Sequence, residues 1–477
     1  MTLSRVFAAG RTQMRIVVFG AVILSLVLLS YTTSPLIVKH VPSRLLSVWR
    51  TQGAALDRWT PYEPTIHDSD LTHHCSERFG LGFVHRLGET AVNHCSSNSS
   101  SSFTCLYYKT RDERIDPLCY GTPAVIEDGY VSLACTPRDW DEEPTNVSAG
   151  NFHHLEGFTS YWYDTGPRVL LDSIVDLGLP DLPIFTESVP RTYLLVQREG
   201  TISNLWHTLM QVMSLGLSID VLRSAKDPKT GDTFLSANDL KQTQIVITDD
   251  HDEGPFWDVW RMYSELPPVR FSNIYKDLSA SKVVLPLPGA ANTLWEGDWV
   301  DLTCEHSALL TGFSRRLLNF YHLAEEPTKP SRLRLTFINR QGSRKLQHQA
   351  VHFETLQSAF PDVDMQLVDL AAISFKEQLQ VMRNTDILVG VHGAGLTHEF
   401  FLPNGSTVVE IQPPDMDHRG FFNMATFLGH KYFRMTGFDF EYENRTGDWH
   451  GDDIGVKEDV LLDTMGVAIA LAHEPRP

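Results

Sequence analysis

One stretch near the carboxyl end has the residue types needed to hold an anion. In Asp386-Ile-Leu-Val-Gly-Val-His-Gly-Ala-Gly-Leu-Thr-His-Glu-Phe-Phe-Leu402, an apolar run passes through His392 into Gly393, Ala394 and Gly395. An unbroken β-branched and leucine run suits a parallel strand buried on both faces. The small residues after it remove side-chain bulk, so backbone N–H groups can approach a diphosphate, and a helix starting there adds its positive end. Such a turn also occurs where strand and helix simply pack closely. A second polar constellation, Asp249-Asp-His-Asp-Glu253, follows another apolar run and gathers the oxygen ligands that a hard cation takes.

The chain has 477 residues, of which 42% are hydrophobic, enough to bury two full cores. Its formal net charge of -19, with no compensating basic block, argues against a nucleic-acid partner. An anionic ligand must therefore be met by local groups.

The segment 16–38 carries no charge and is long enough to cross a bilayer core of about 30 Å, so it reads as a transmembrane signal anchor behind a cytosolic tail, 1–15. Arginines precede it and basic residues follow closely, which leaves its orientation to other features. A cleaved signal peptide is the rival reading, and no small-x-small cleavage site follows the apolar core. Asn98, Asn146, Asn404 and Asn444 each begin an Asn-x-Ser/Thr acceptor, which favours a lumenal course for everything after the anchor. The six cysteines agree with an oxidising compartment. They allow three disulfides in fifteen pairings among which sequence does not choose; buried free thiols are the alternative. None has the CxxC spacing of a zinc site.

After a stem over 39–74, a Cys-rich region over 75–150 forms either a separate module or a decorated edge of the lobe that follows. From Thr192 the pattern becomes regular. Strands are expected at 193–197 and 244–248 around a helix beginning near Asn204, and 283–288 reads as a later strand or an edge. A helix over 314–321 leads to a linker, Glu325-Glu-Pro-Thr-Lys-Pro330. Beyond it come a strand at 332–339, a helix at 344–360, a strand at 365–368, a helix at 374–383, the strand before the glycine turn, and another strand at 407–411. This alternation gives an α/β chain of two Rossmann-like lobes, 151–327 and 328–477, with ligands beyond the carboxyl ends of the strands. Two such lobes facing across a cleft make a GT-B architecture.

With His-Gly-Ala-Gly-Leu-Thr at 392–397, Val409-Glu-Ile after it, Phe337-Ile-Asn-Arg340 before it and Asn204-Leu-Trp-His207 in the first lobe, the chain resembles glycosyltransferase family 61. The resemblance spans about residues 190–435. It implies an inverting transfer of GlcNAc or xylose from a UDP-sugar on a GT-B fold. The acceptor is a glycoprotein glycan or protein hydroxyl, or a polysaccharide, and the setting is the endoplasmic reticulum or Golgi membrane, as a single-pass type II protein. An anchor, and a last segment Glu474-Pro-Arg-Pro477 unlike a KDEL signal, differ from soluble, retrieved members. A catalytically inactive glycan-binding or scaffold protein that keeps the fold is the reading from another class.

Inversion requires in-line attack by an acceptor hydroxyl, a base for its proton, and stabilisation of the departing diphosphate. Arg340 and Arg344 are candidates to meet the diphosphate, since a guanidinium fork fits phosphate oxygens. His392 would contact phosphate or ribose, or pack the loop. Glu410 would accept from ribose hydroxyls or act as a structural partner. His207 is the expected base, or else a histidine orienting the acceptor-side Asn204, and Asp250 is the rival acid. With arginines neutralising the diphosphate, no metal or other cofactor is expected, and the acid cluster is read as a loop rim or acceptor contact.

Overall fold

The computed structural model describes residues 72–109, 114–140, 155–158, 165–328, 330–439 and 450–474, all within one compact unit, Thr60–Pro477. The expected tail and anchor, almost all of the stem, and the acceptors Asn146 and Asn444 lie outside the described residues.

Alternating apolar runs build two sheets. The first contains β1 (Val92–Asn93), β2 (Ser102–Lys109), β3 (Ile115–Glu127), β4 (Tyr130–Ser132), β5 (Val175–Asp176), β6 (Thr192–Val196), β7 (Thr243–Ile247), β8 (Leu266–Arg270) and β9 (Lys276–Leu285). Its main path runs β1-β2-β3-β9-β6-β7-β8, with β4 and β5 attached to β3. The part β9-β6-β7-β8 is parallel, and β3 joins β9 antiparallel, so the Cys-rich strands and the parallel layer share one sheet. The strand expected at 283–288 proves longer and central, because Val283, Val284 and Leu285 are buried between β3 and β6 and offer neither face to water.

The cysteines form three disulfides, Cys75–Cys304, Cys95–Cys135 and Cys105–Cys119. The last joins directly opposed residues of β2 and β3. The first closes a loop of 229 residues and ties the helix His73–Phe79 to the segment before the second lobe.

A helix over Leu205–Ser224 lies behind the first sheet. It is long and apolar enough to cross a membrane, yet its most apolar window is 94% buried, which makes it a core helix. Its Asp220 pairs with Arg316 of the helix Ala308–Phe320 at 2.6 Å, both nearly buried, so each charge has its partner inside the fold. Ser314 of that second helix donates to the Phe400 carbonyl, which continues the contact into the other lobe.

The second sheet is wholly parallel, with order β11-β10-β12-β13-β14, from β10 (Arg334–Ile338), β11 (Asp364–Val368), β12 (Ile387–Val391), β13 (Thr407–Gln412) and β14 (Lys431–Thr436). Leu335, Phe337, Val389, Val409 and Met465 are in its core. Two sheet-bearing α/β lobes in a GT-B-like arrangement are thus observed. The helix expected over 344–360 covers Gln349–Ala359, because Arg344 and His348 take left-handed φ values of 57° and 55°. After the glycine turn, the expected α-helix is a 3-10 segment, Ala394–Phe401. It brings a weaker axial dipole than a long helix would, and positive charge must come from side chains.

Candidate active site

The second sheet's winding reverses between β10 and β12, and at such a switch point the connections diverge and leave a crevice at the carboxyl ends. Arg340 follows β10 and Gly393 follows β12. Gly393 has a φ of 141°, which L side chains rarely adopt, and a β-carbon there would lie 2.5 Å from Arg340 Nη1 and 3.0 Å from Arg344 Nη2. Lack of a side chain therefore lets two guanidinium groups reach the backbone of the turn. Arg340 Nε donates to the Ser343 carbonyl, which orients the fork. Burial lowers the Arg340 pKa, but a guanidinium remains charged.

His392, at the end of β12, is 4% exposed, and its Nδ1 lies 2.5 Å from Glu410 Oε1. Tyr432 donates its hydroxyl hydrogen to the other Glu410 oxygen. Glu410 is wholly buried, with one oxygen on His392 and the other on Tyr432, so it orients the His392 ring. Burial holds the His392 pKa below the usual imidazole value, against the pull of Glu410. A neutral ring whose Nδ1–H goes to Glu410 presents Nε2 as an acceptor, which suits a hydroxyl better than a phosphate.

The opposing wall comes from the first lobe. Its own winding reverses between β6 and β9, and β6 runs out into Gln197-Arg198-Glu199. Glu199, 2% exposed, is hydrogen-bonded through Oε2 to His207 Nδ1. His207 stands in the first turn of the helix Leu205–Ser224, where Asn204 Oδ1 accepts from Trp206 N at 3.0 Å and caps the end. The Trp295 ring packs edge-on to His207 at 4.8 Å between centroids.

Between the walls lies a cavity of about 210 Å³. Arg344, His392, Gly393, Ala394, His418 and Phe421 line it from the second lobe. Asn204, Trp206, His207, Trp295, Asp298 and Trp299 line it from the other side, with His450 at its border. Arg340 adjoins it through Gly393, and Gly395 continues the turn. Sequence-selected residues from both lobes thus meet in one place.

Asp250 is exposed and is not among the lining residues. Its neighbour Asp249 is buried and binds Arg198 Nη2 at 2.7 Å, and Arg198 also holds the His251 and Asp252 carbonyls. The acid loop is therefore organised around an arginine. Among the described residues no group of three His, Cys, Asp or Glu side chains is arranged to hold a metal ion. Asn98 and Asn404 are exposed.

Sequence reasoning missed Glu199, Trp295, Asp298, Trp299 and His418. Glu199 carried a usable signal, since it stands just past a buried strand, as Arg340 does. The others sit in an irregular segment and a loop whose placement depends on the lobes' packing: Asp298 Oδ2 lies 3.5 Å from His418 Nε2 across them.

Residues 298–409 match the glycosyltransferase 61 family model. The EGF domain-specific O-linked N-acetylglucosamine transferase of Drosophila melanogaster is 27% identical over 313 residues, covering 63% of this chain and 55% of that protein. The protein of the same name from Canis lupus familiaris is 32% identical over 132 residues, covering 27% of this chain and 25% of its own length. The chain thus matches about half of the fly relative's length and a quarter of the dog relative's. A flavodiiron core from Synechocystis overlaps 80% of this chain and 98% of that one at a TM-score of 0.20 and 8% identity, which carries no argument. The family match and the two partial relatives give this chain a family-level relation to the glycosyltransferase 61 enzymes.

Proposed function

We propose that the protein is an inverting glycosyltransferase that moves a sugar from a UDP-sugar to a hydroxyl of a glycoprotein glycan or protein. The observation that carries this reading is the convergence of Arg340 and Arg344 on Gly393, across one cavity from the His207–Glu199 pair. The arginines and the turn's N–H groups take the donor diphosphate, and His392, held by Glu410, accepts from a donor hydroxyl.

The acceptor oxygen attacks the anomeric carbon from the face opposite the diphosphate. The bond from that carbon to the phosphate oxygen breaks, and its electron pair leaves with UDP. With Nδ1–H directed to Glu199, His207 takes the acceptor's proton on Nε2, and the carboxylate stabilises the resulting imidazolium. Two guanidinium groups offset the diphosphate charge, so the reaction needs no divalent metal. Activity that chelation abolishes and manganese restores would overturn that point.

The activity named for the relatives makes UDP-GlcNAc the first donor to try, with UDP-xylose second. The charge-free segment 16–38, three disulfides and exposed Asn98 and Asn404 support a lumenal position on a Golgi or endoplasmic reticulum membrane. Donor hydrolysis by the purified chain, followed across a panel of UDP-sugars, tests the reading. Release of UDP from one donor, with a thermal shift on UDP, is expected. Neither hydrolysis nor a shift would leave only a glycan-binding or scaffold protein.

A further inference from the structure

The two walls of the cavity differ in chemistry. One carries Arg344 with Arg340 behind it, and the other carries His207 and the Asp298 carboxylate among tryptophans, with Glu199 buried behind His207. A diphosphate belongs on the first wall and is repelled by the second. What occupies the second wall is therefore not an anion, offers a hydroxyl to His207, and has apolar faces to lie against indole rings.

Trp295 and Trp299 are four residues apart around a single 3-10 turn, Trp295–Gly297. Trp295 touches the base, and Trp299 lies edge-on to His418 at 5.0 Å. Trp299 is 56% exposed while lining the cavity, so an indole stands in water at its mouth. Both rings line the cavity, Trp295 beside His207 and Trp299 at its mouth, and Asp298 lines it with them.

The cavity's lining residues come from helix ends, 3-10 turns and loops, and none lies in a strand. An extended peptide acceptor would find no strand edge there for main-chain pairing. A pyranose needs none: its C–H faces stack on indole rings, and its ring hydroxyls bond to side chains such as Asp298.

We infer that Trp295 and Trp299 form an acceptor subsite for a saccharide, so that the hydroxyl glycosylated belongs to a sugar ring and not to a serine or threonine of an unglycosylated polypeptide. This rests on the transferase reading above and departs from the EGF-domain acceptor that the relatives' names state.

The test uses the full chain with its preferred UDP-sugar. The acceptors are methyl glycosides and short oligosaccharides of mannose, GlcNAc, galactose and xylose, set against an unglycosylated folded EGF-like domain. Transfer to a saccharide is expected. Trp299→Ala should raise the acceptor KM about tenfold while moving the donor KM far less, and Trp299→Phe should restore part of the loss. Transfer only to the bare protein domain, or donor hydrolysis without transfer to any saccharide, overturns the inference. So does a Trp299→Ala effect that falls on the donor KM, which would make the ring a nucleotide platform. Absence of donor hydrolysis and of a UDP thermal shift in the unaltered chain overturns the transferase reading itself, and the subsite with it.

Discussion

Arg340 Nη1 occupies a position only 2.5 Å from where a β-carbon on Gly393 would stand. Guanidinium and turn are thus fitted to each other by the missing side chain. Gly393→Ala would displace Arg340 and force a φ of 141° on an L residue. Calorimetric titration should show UDP binding at least about tenfold weaker, a loss of about 1.4 kcal/mol. Arg340→Ala should weaken binding similarly without the backbone strain.

In the proposed mechanism His207 is the base and Glu199, hydrogen-bonded to its Nδ1, is the orienting partner. His207→Ala should lower kcat by about 10²–10⁴-fold with the donor KM little changed. Glu199→Gln keeps the hydrogen-bonding shape and loses the charge that stabilises imidazolium, so a smaller fall in kcat is expected. Steady-state kinetics that show instead a raised donor KM and an intact kcat would place the pair outside proton transfer.

Glu296 couples the helix His73–Phe79 to the proposed base, His207. It accepts from Arg78 Nη2 at 2.8 Å and from the Tyr108 hydroxyl at 2.9 Å, and it follows Trp295, which packs on His207. The Cys75–Cys304 disulfide tethers the same helix. Glu296→Ala should loosen Trp295 and cost about tenfold in kcat, about 1.4 kcal/mol of barrier. Glu296→Gln, which keeps an acceptor for Tyr108, should recover part of it. Equal losses in the two variants, with melting temperature falling in step, would indicate a general stability effect.

Glu399 is fully buried, and neither carboxyl oxygen has a hydrogen-bond partner among the described residues. Burial, reinforced by Glu410, raises its pKa well above the usual carboxylate value. The unfolded chain loses this proton near pH 4.5, whereas the folded chain keeps it to higher pH, so the group costs nothing below pH 4.5 and an increasing amount above it. The cost grows by about 1.4 kcal/mol per pH unit until the folded pKa is reached. Glu399→Gln should raise the melting temperature at pH 7, with the difference vanishing near pH 4.5. A constant difference across that range would contradict a buried, protonated Glu399.

The second lobe was legible where its strands are apolar runs, and β12 begins and ends where the run Ile387–Val391 does, whereas β14, with its polar and charged residues, gave no such signal and was not expected. The placement of Arg340 and Gly393 at adjoining strand ends followed from that pattern. Two boundaries were not legible. The left-handed Arg344 and His348 delay a helix that periodicity starts earlier, and tertiary packing turns Ala394–Phe401 into a 3-10 segment. Nor does composition reveal that β9 is central, since strand order depends on which neighbours cover it. The tryptophan wall was hidden for another reason. Trp295 and Trp299 have no periodic signal, and they gain meaning only when the lobes bring His207 and His418 beside them.

A crystal structure with UDP bound is the most direct test of the donor site. Its β-phosphate oxygens should lie within about 3 Å of Arg340 or Arg344 and of the N–H groups at Gly393 and Ala394, with His207 across the cavity. UDP found elsewhere, or bound with its diphosphate against His207 and Asp298, would contradict the assignment of the two walls.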